Sequence, residues 1–173
     1  KKFKINLMRF IFVKELIKYT KKNHNVYLIT SDLGYRAFEE FAKLFPKKFI
    51  NVGVSENNMI GIAAGLASEN FNVITTTFAP FQTLRCLDQI KVNLAYSNIK
   101  VTMCGLASGL INGPLGNTHC CIEDVGALRS IPNLKILSPA DGVGIFKSVY
   151  AAAEIDQPVY IRLTGGSNNP IVY

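Results

Sequence analysis

Six short apolar runs, at 26–30, 49–52, 73–76, 101–106, 134–137 and 159–163, constrain this chain more than any other feature. They are mostly apolar and do not alternate strictly with polar residues, so each reads as a strand covered on both faces. That is the situation of a parallel strand between two helical layers. Leu7, Phe10, Ile11, Val13, Leu16 and Ile17 recur at helical spacing and predict a first helix that closes over 21–25. Further helices are expected over 37–44, 56–68, 81–95, 123–130 and 143–153. Strands and helices in this alternation predict an α/β three-layer sandwich with a six-stranded parallel sheet. With 173 residues, the chain can bury a substantial core as one domain, expected over 1–163. The stretch 164–173 has linker composition and is expected to begin a linker.

Charge is unevenly placed. The net charge is +7, but residues 1–48 hold 12 Lys/Arg against 4 Asp/Glu, which leaves 7 against 8 in the rest. Lys1-Lys2, Lys21-Lys22 and Lys47-Lys48 read as solvated helix ends and turns, and no aromatic residues interleave with them as in single-strand binders. A nucleic-acid partner is therefore not expected. Cys86, Cys104, Cys120 and Cys121 have neither metal-knuckle nor redox spacing and read as reduced thiols of a cytoplasmic protein. No apolar run approaches a membrane span, and residues 1–25 read as a charged amphipathic helix, not a signal.

The stretch 56–68 is chemically unusual. An acid, Glu56, opens a helix that is otherwise small and apolar through Gly61-Ile62-Ala63-Ala64-Gly65-Leu66-Ala67. Ser55-Glu56 also reads as an N-cap followed by a first-turn acid favoured by the helix dipole. Burial among Val54, Met59 and Ile60 is expected to hold the carboxyl in its neutral form. About one strand later, Thr77-Phe78-Ala79-Pro80-Phe81 sets two aromatic rings near one end of the sheet, where they would serve equally well as core. Ligands of open α/β sheets bind outside the carboxyl ends of the strands. Asp32, the 53–56 turn, Phe78 to Phe81 and the 107–119 loop all follow strands and fall on that edge. A buried carboxyl beside aromatic faces suits a flat nitrogen heterocycle.

The order Gly53-Val54-Ser55-Glu56, the polar pair Asn57-Asn58, a Gly/Ala helix, a strand and Thr77-Phe78-x-x-Phe81 resembles the pyrimidine-binding domain of transketolase and its thiamine diphosphate-dependent relatives. The likeness runs over about residues 8–163, and Thr118-His119 matches the family's Thr-His. In the family a further domain usually follows the linker that 164–173 begins, so the resemblance implies that this C-terminal domain is absent here. The likeness implies that Glu56 is the glutamate whose carboxyl bonds the aminopyrimidine N1′ and starts the proton relay that activates the thiazolium carbon. It also implies that Phe81, and less directly Phe78, packs against the pyrimidine ring, with Leu84 where the family often has Tyr or Gly. His119 would point at the reacting sugar, and Arg9 and Arg36 would contact the substrate. The chain lacks Gly-Asp-Gly followed some thirty residues later by Asn, the motif that holds magnesium diphosphate in the partner domain. The resemblance therefore implies a homo- or hetero-oligomer in which a diphosphate-binding subunit or domain holds Mg2+ and completes the thiamine diphosphate site.

Departures from the family concern the sugar. The loop reads Gly113-Pro114-Leu115-Gly116-Asn117-Thr118-His119, with Leu115 where an aspartate reads a sugar hydroxyl. Ala107, Ser108 and Gly165 stand at positions that carry phosphate-binding His or Arg in the family, and Arg36 replaces a Ser. The expected reaction is transfer of a two-carbon ketol unit between sugars, with an atypical sugar as substrate. The alternatives are a deoxyxylulose phosphate synthase, opposed by Leu115 and Ser108, a 2-oxoacid dehydrogenase beta subunit, opposed by the Thr-His loop, and a catalytically silent partner subunit, opposed by Glu56.

Overall fold

The computed structural model describes residues 8–33 and 38–165. Its six strands form one sheet, all parallel: β1 (Val26–Thr30), β2 (Phe49–Asn51), β3 (Asn72–Phe78), β4 (Val101–Leu106), β5 (Lys135–Leu137) and β6 (Val159–Arg162), in the order β2-β1-β3-β4-β6-β5. The helices are α1 (Met8–Lys22), α2 (Glu39–Leu44), α3 (Glu56–Ser68), α4 (Ala79–Gln82), α5 (Leu87–Gln89), α6 (Asp124–Arg129) and α7 (Gly142–Glu154). The expected fold class is observed.

The apolar runs divide by the strand period of two. On β6, Val159 and Ile161 face a core with Phe12 and Leu16 of α1, Phe41 of α2 and Ile145 and Val149 of α7, while Tyr160 faces the opposite core with Met59 and Ile60 of α3 and Leu128 of α6. On β4, Cys104 and Leu106 join the first core, and Val101 and Met103 the second. Burial on both faces of the central strands is why they read as continuous apolar runs.

One expected helix is broken. The 81–95 stretch instead forms α4, an irregular turn, α5 and a π-helix at Ile90–Tyr96. The cause is local: the Thr83 hydroxyl donates to the Ala79 carbonyl at 2.7 Å, and the Arg85 N–H reaches back to Pro80 O at 3.1 Å. A Thr hydroxyl that bonds the preceding turn competes with regular helix continuation. Strand β3 in turn runs two residues further at its carboxyl end than expected, because Thr77 and Phe78 pair with Gly105 and Leu106 of β4.

Gly105 is needed for its lack of a side chain. A Cβ there would overlap the Tyr160 phenol, lying 2.7 Å from Cε2 and 2.9 Å from Cζ. The phenol cannot yield, because its hydroxyl donates to the fully buried Asp124 carboxylate at 3.0 Å. Gly105→Ala is expected to cost about 1–3 kcal/mol, as overpacking does, read as a lower urea midpoint at unchanged slope.

Candidate active site

The chain winds from β1 to one side of the sheet and from β3 to the other, so the crevice between these strands' carboxyl ends is the topological switch point. Ser31, just past β1, organises it. Its hydroxyl donates to Gly53 O at 2.6 Å and accepts from the Ser55 N–H at 3.2 Å. Gly53 has φ +71, a left-handed conformation that favours glycine, and this turns the chain from β2 into α3. Ser55 occupies the N-cap position without a side-chain capping bond. These contacts fix Glu56, the first residue of α3, which is 5% exposed.

Its surroundings differ from the apolar cover expected. Met59 and Ile60 are fully buried, but Val54 is 74% exposed and Arg85 Nη1 lies 2.7 Å from Glu56 Oε1. A buried acid beside a guanidinium is a charge pair, not a carboxyl isolated among hydrocarbons. The same guanidinium lies over the Phe81 ring, its Cζ 4.0 Å from the centroid. Phe81, Phe78 and His119 form a ring cluster: 6.1 Å between the two phenyls, and 5.6 Å and 5.2 Å from His119 to Phe78 and Phe81. His119 Nδ1 is 3.0 Å from the Thr118 hydroxyl. A cleft of about 590 Å³ opens beside the cluster, lined among others by Phe81, Arg85, Thr118, Cys120 and Glu123. Beneath it, burial pushes the Cys86 thiol up to about 12, with the Glu56 charge adding to the shift and Arg85 opposing it.

The loop that carries His119 is tied down from below. Gly109 and Cys121 exchange backbone hydrogen bonds of 2.6 and 2.9 Å, and the Ser108 N–H bonds Leu163 O at 3.0 Å. At the loop's end, Asp124 accepts from Arg162 Nε at 2.8 Å and from Tyr160. Burial, and then the Asp124 charge, raise the Tyr160 phenol well above its usual range, so it stays a donor. Breaking a buried pair costs about 3–5 kcal/mol, because the surviving charge is left without a partner. Asp124→Ala is accordingly expected to lower unfolding stability by that order, with Asp124→Asn costing less; urea denaturation of the two variants checks both.

A profile of the transketolase pyrimidine-binding domain matches residues 7–169. The chain belongs to that family. It is 34% identical over 163 residues to one of the subunits of an apulose-4-phosphate transketolase from Phocaeicola vulgatus, covering 94% of this chain and 52% of the relative. It is 34% identical over 157 residues to a 6-deoxy-6-sulfo-D-fructose transketolase subunit of Clostridium sp., covering 90% and 49%. A solved split-gene transketolase described as an inactive beta4 tetramer superposes with a TM-score of 0.82 at 33% identity, over 92% of this chain and 52% of that one. The chain thus spans about half the length of these relatives.

Within this transketolase-family domain, the structure brings Glu56, Phe78, Phe81 and His119 to one edge, as the sequence suggested. Arg9 lines a separate cavity of about 240 Å³ on the other side of Phe78, together with Ala107, Ile111, Asn112, Leu163 and Gly165. The Arg9 Nε is buried without a hydrogen-bond partner among the described residues. Ser108 does not line this cavity; it is buried, its hydroxyl 3.5 Å from that of Tyr160. Leu115 is exposed on a 3₁₀ turn, and Arg36 lies outside the described residues. Sequence reasoning missed Ser31, Arg85, Asp124 and Arg162. Of these only Arg85 carried a local signal, its position four residues after Phe81. Among the described residues, no group of three His, Cys, Asp or Glu could hold a metal, and no helix is long and apolar enough to cross a membrane.

Proposed function

We propose that this chain is the pyrimidine-binding part of a thiamine diphosphate-dependent, transketolase-like transferase that moves a two-carbon ketol unit between sugars. The observation that carries the reading is the buried Glu56 carboxylate beside the Phe81 face. A flat cation already sits against both, at 2.7 and 4.0 Å, so the space suits a flat nitrogen ring. In this reading Glu56, Phe78 and Phe81 hold the ring half of the cofactor. The cofactor, when bound, supplies a nucleophilic carbon that carries the transferred unit.

The chain's own residues do the rest. Glu56 would share a proton with a ring nitrogen of the bound cofactor, and Ser31 and Gly53 keep the start of its helix in place. Phe78 and Phe81 hold the ring plane and exclude water. His119, its Nδ1 beside the Thr118 hydroxyl, presents its remaining nitrogen to the sugar. A diphosphate-binding subunit or domain holds Mg2+ and closes the cleft in a homo- or hetero-oligomer, as the relatives' being named as subunits suggests. The free thiols of all four cysteines suit the cytoplasm.

In the enzyme assembled with its diphosphate-binding partner, Glu56→Gln is expected to leave folding intact and lower turnover by about two to four powers of ten, since an amide cannot relay the proton. Near-normal turnover by that variant refutes the assignment.

The substrate is placed with its carbonyl end toward His119 and its far end toward the Arg9 cavity. The relatives' names include a sugar phosphate and a sulfo sugar. Here Ala107, Leu163 and Gly165 surround Arg9 with groups that offer no charge. Each missing charged hydrogen bond forgoes about 1.5–3 kcal/mol. Xylulose 5-phosphate is therefore expected to outpace unphosphorylated or nucleotide-linked ketoses by less than about tenfold in the assembled enzyme. Parallel rate measurements on the three check this, and a rate on the pentose phosphate far above the other two overturns it.

A further inference from the structure

We infer that Arg85 is a resident stand-in for the aminopyrimidine ring. It occupies the Glu56 oxygen and the Phe81 face that the ring would take, and it must swing into the cleft before the ring can bind. The inference rests on the cofactor reading above and concerns how that same site is kept and opened.

Two contacts define the place a flat heterocycle would take, a carboxylate oxygen at its edge and an aromatic face beneath its plane. Arg85 uses both, with Nη1 2.7 Å from Glu56 Oε1 and Cζ 4.0 Å from the Phe81 centroid. A guanidinium suits the role because it is flat, delocalised and rich in N–H donors, and it stacks on aromatic faces as well as pairing with carboxylates. A lysine ammonium could pair but would not imitate a ring.

The carboxylate requires such a partner. Glu56 is almost entirely buried, and a buried acid without a cation or hydrogen-bond donor is costly. Arg85 itself is anchored weakly. Its side chain is 43% exposed, it comes from the irregular turn between α4 and α5, and it lines the 590 Å³ cleft, so an outward path is open. The contacts are exclusive, because guanidinium and ring cannot both lie against Glu56 Oε1 and the same Phe81 face. Arg85 is thus a positioning residue. It keeps the Glu56 carboxyl oriented and charge-compensated until the ring replaces it, and the observed affinity for the ring is the intrinsic affinity multiplied by the fraction of molecules in which Arg85 is out.

The test is calorimetric titration of thiamine diphosphate, with Mg2+ present, into the complex of this chain and its diphosphate-binding partner. Arg85→Leu is expected to bind thiamine diphosphate about three- to tenfold more tightly than wild type, because the competing group is gone. A residue that merely supported the fold would weaken binding when removed. Arg85→Lys, which keeps the charge but not the flat stack, is expected to fall between the two, and it decides the matter if Arg85→Leu does not assemble. Glu56→Ala serves as the control for the site. If the wild-type complex binds no thiamine diphosphate, or Glu56→Ala leaves its affinity unmoved, the cofactor reading fails and the stand-in fails with it. If Glu56→Ala weakens binding while Arg85→Leu, or the Lys variant in its place, binds no more tightly than wild type, the cofactor reading stands and the stand-in is refuted.

Discussion

A carboxylate buried at the switch point of a parallel sheet is the constraint around which the functional edge of this domain is built. Water reaches Glu56 poorly, and the first turn of α3 offers it only the partial charge of the helix end. A full positive charge at 2.7 Å is what makes the arrangement tolerable. The other local features follow from keeping that acid in one position. Ser31 bonds both sides of the Gly53 turn, Gly53 takes the left-handed conformation that starts the helix there, and the break after α4 accompanies the approach of Arg85.

The second charge pair does a different job. Asp124 and Arg162 lie under the loop instead of in the cleft, and with Tyr160 they form a short polar strut between β6 and the first turn of α6. This strut and the Gly109–Cys121 bridge hold the two ends of the loop that brings His119 against Phe78 and Phe81. Gly105 belongs to the same arrangement, since the phenol occupies the space its side chain would need. The buried side chains below the cleft thus divide into polar ones that fix this loop and the apolar ones that fill the two cores.

This division explains how much of the molecule was legible in its sequence. Strands buried on both faces leave runs such as Val101 to Leu106 that no surface element would carry, and the six-stranded sheet was legible for that reason. Glu56, the two phenylalanines and His119 were legible because each departs from its neighbours in type or matches a family motif. The broken 81–95 helix was not, because the turn in which Thr83 and Arg85 bond back to Ala79 and Pro80 leaves no mark in the helical pattern. The partner of Glu56 was hidden as well. An ion pair between α3 and a turn beyond β3 leaves no periodic trace, and neither does Asp124 with Arg162, 38 residues away. The apolar neighbours of Glu56 in sequence, Met59 and Ile60, are buried as expected, but the guanidinium beside the carboxyl is brought by the fold alone.

The wall of the cleft bears on how the site is completed. Leu84, Leu110 and Ile122 are exposed and line it together with Phe81 and Arg85. Apolar side chains gathered beside a charged group suit a surface that another molecule covers. Next to them, a half-exposed guanidinium holds an acid whose pairing strengthens as water is excluded. On the proposed reading, closing the cleft and displacing Arg85 are opposed. Dehydration tightens the ion pair, so the ring has to compete for Glu56 before the cleft shuts, or bring with it interactions that outweigh the pair. A diphosphate anchored on the covering subunit would supply those interactions, which is a physical reason for dividing ring and diphosphate recognition between two surfaces.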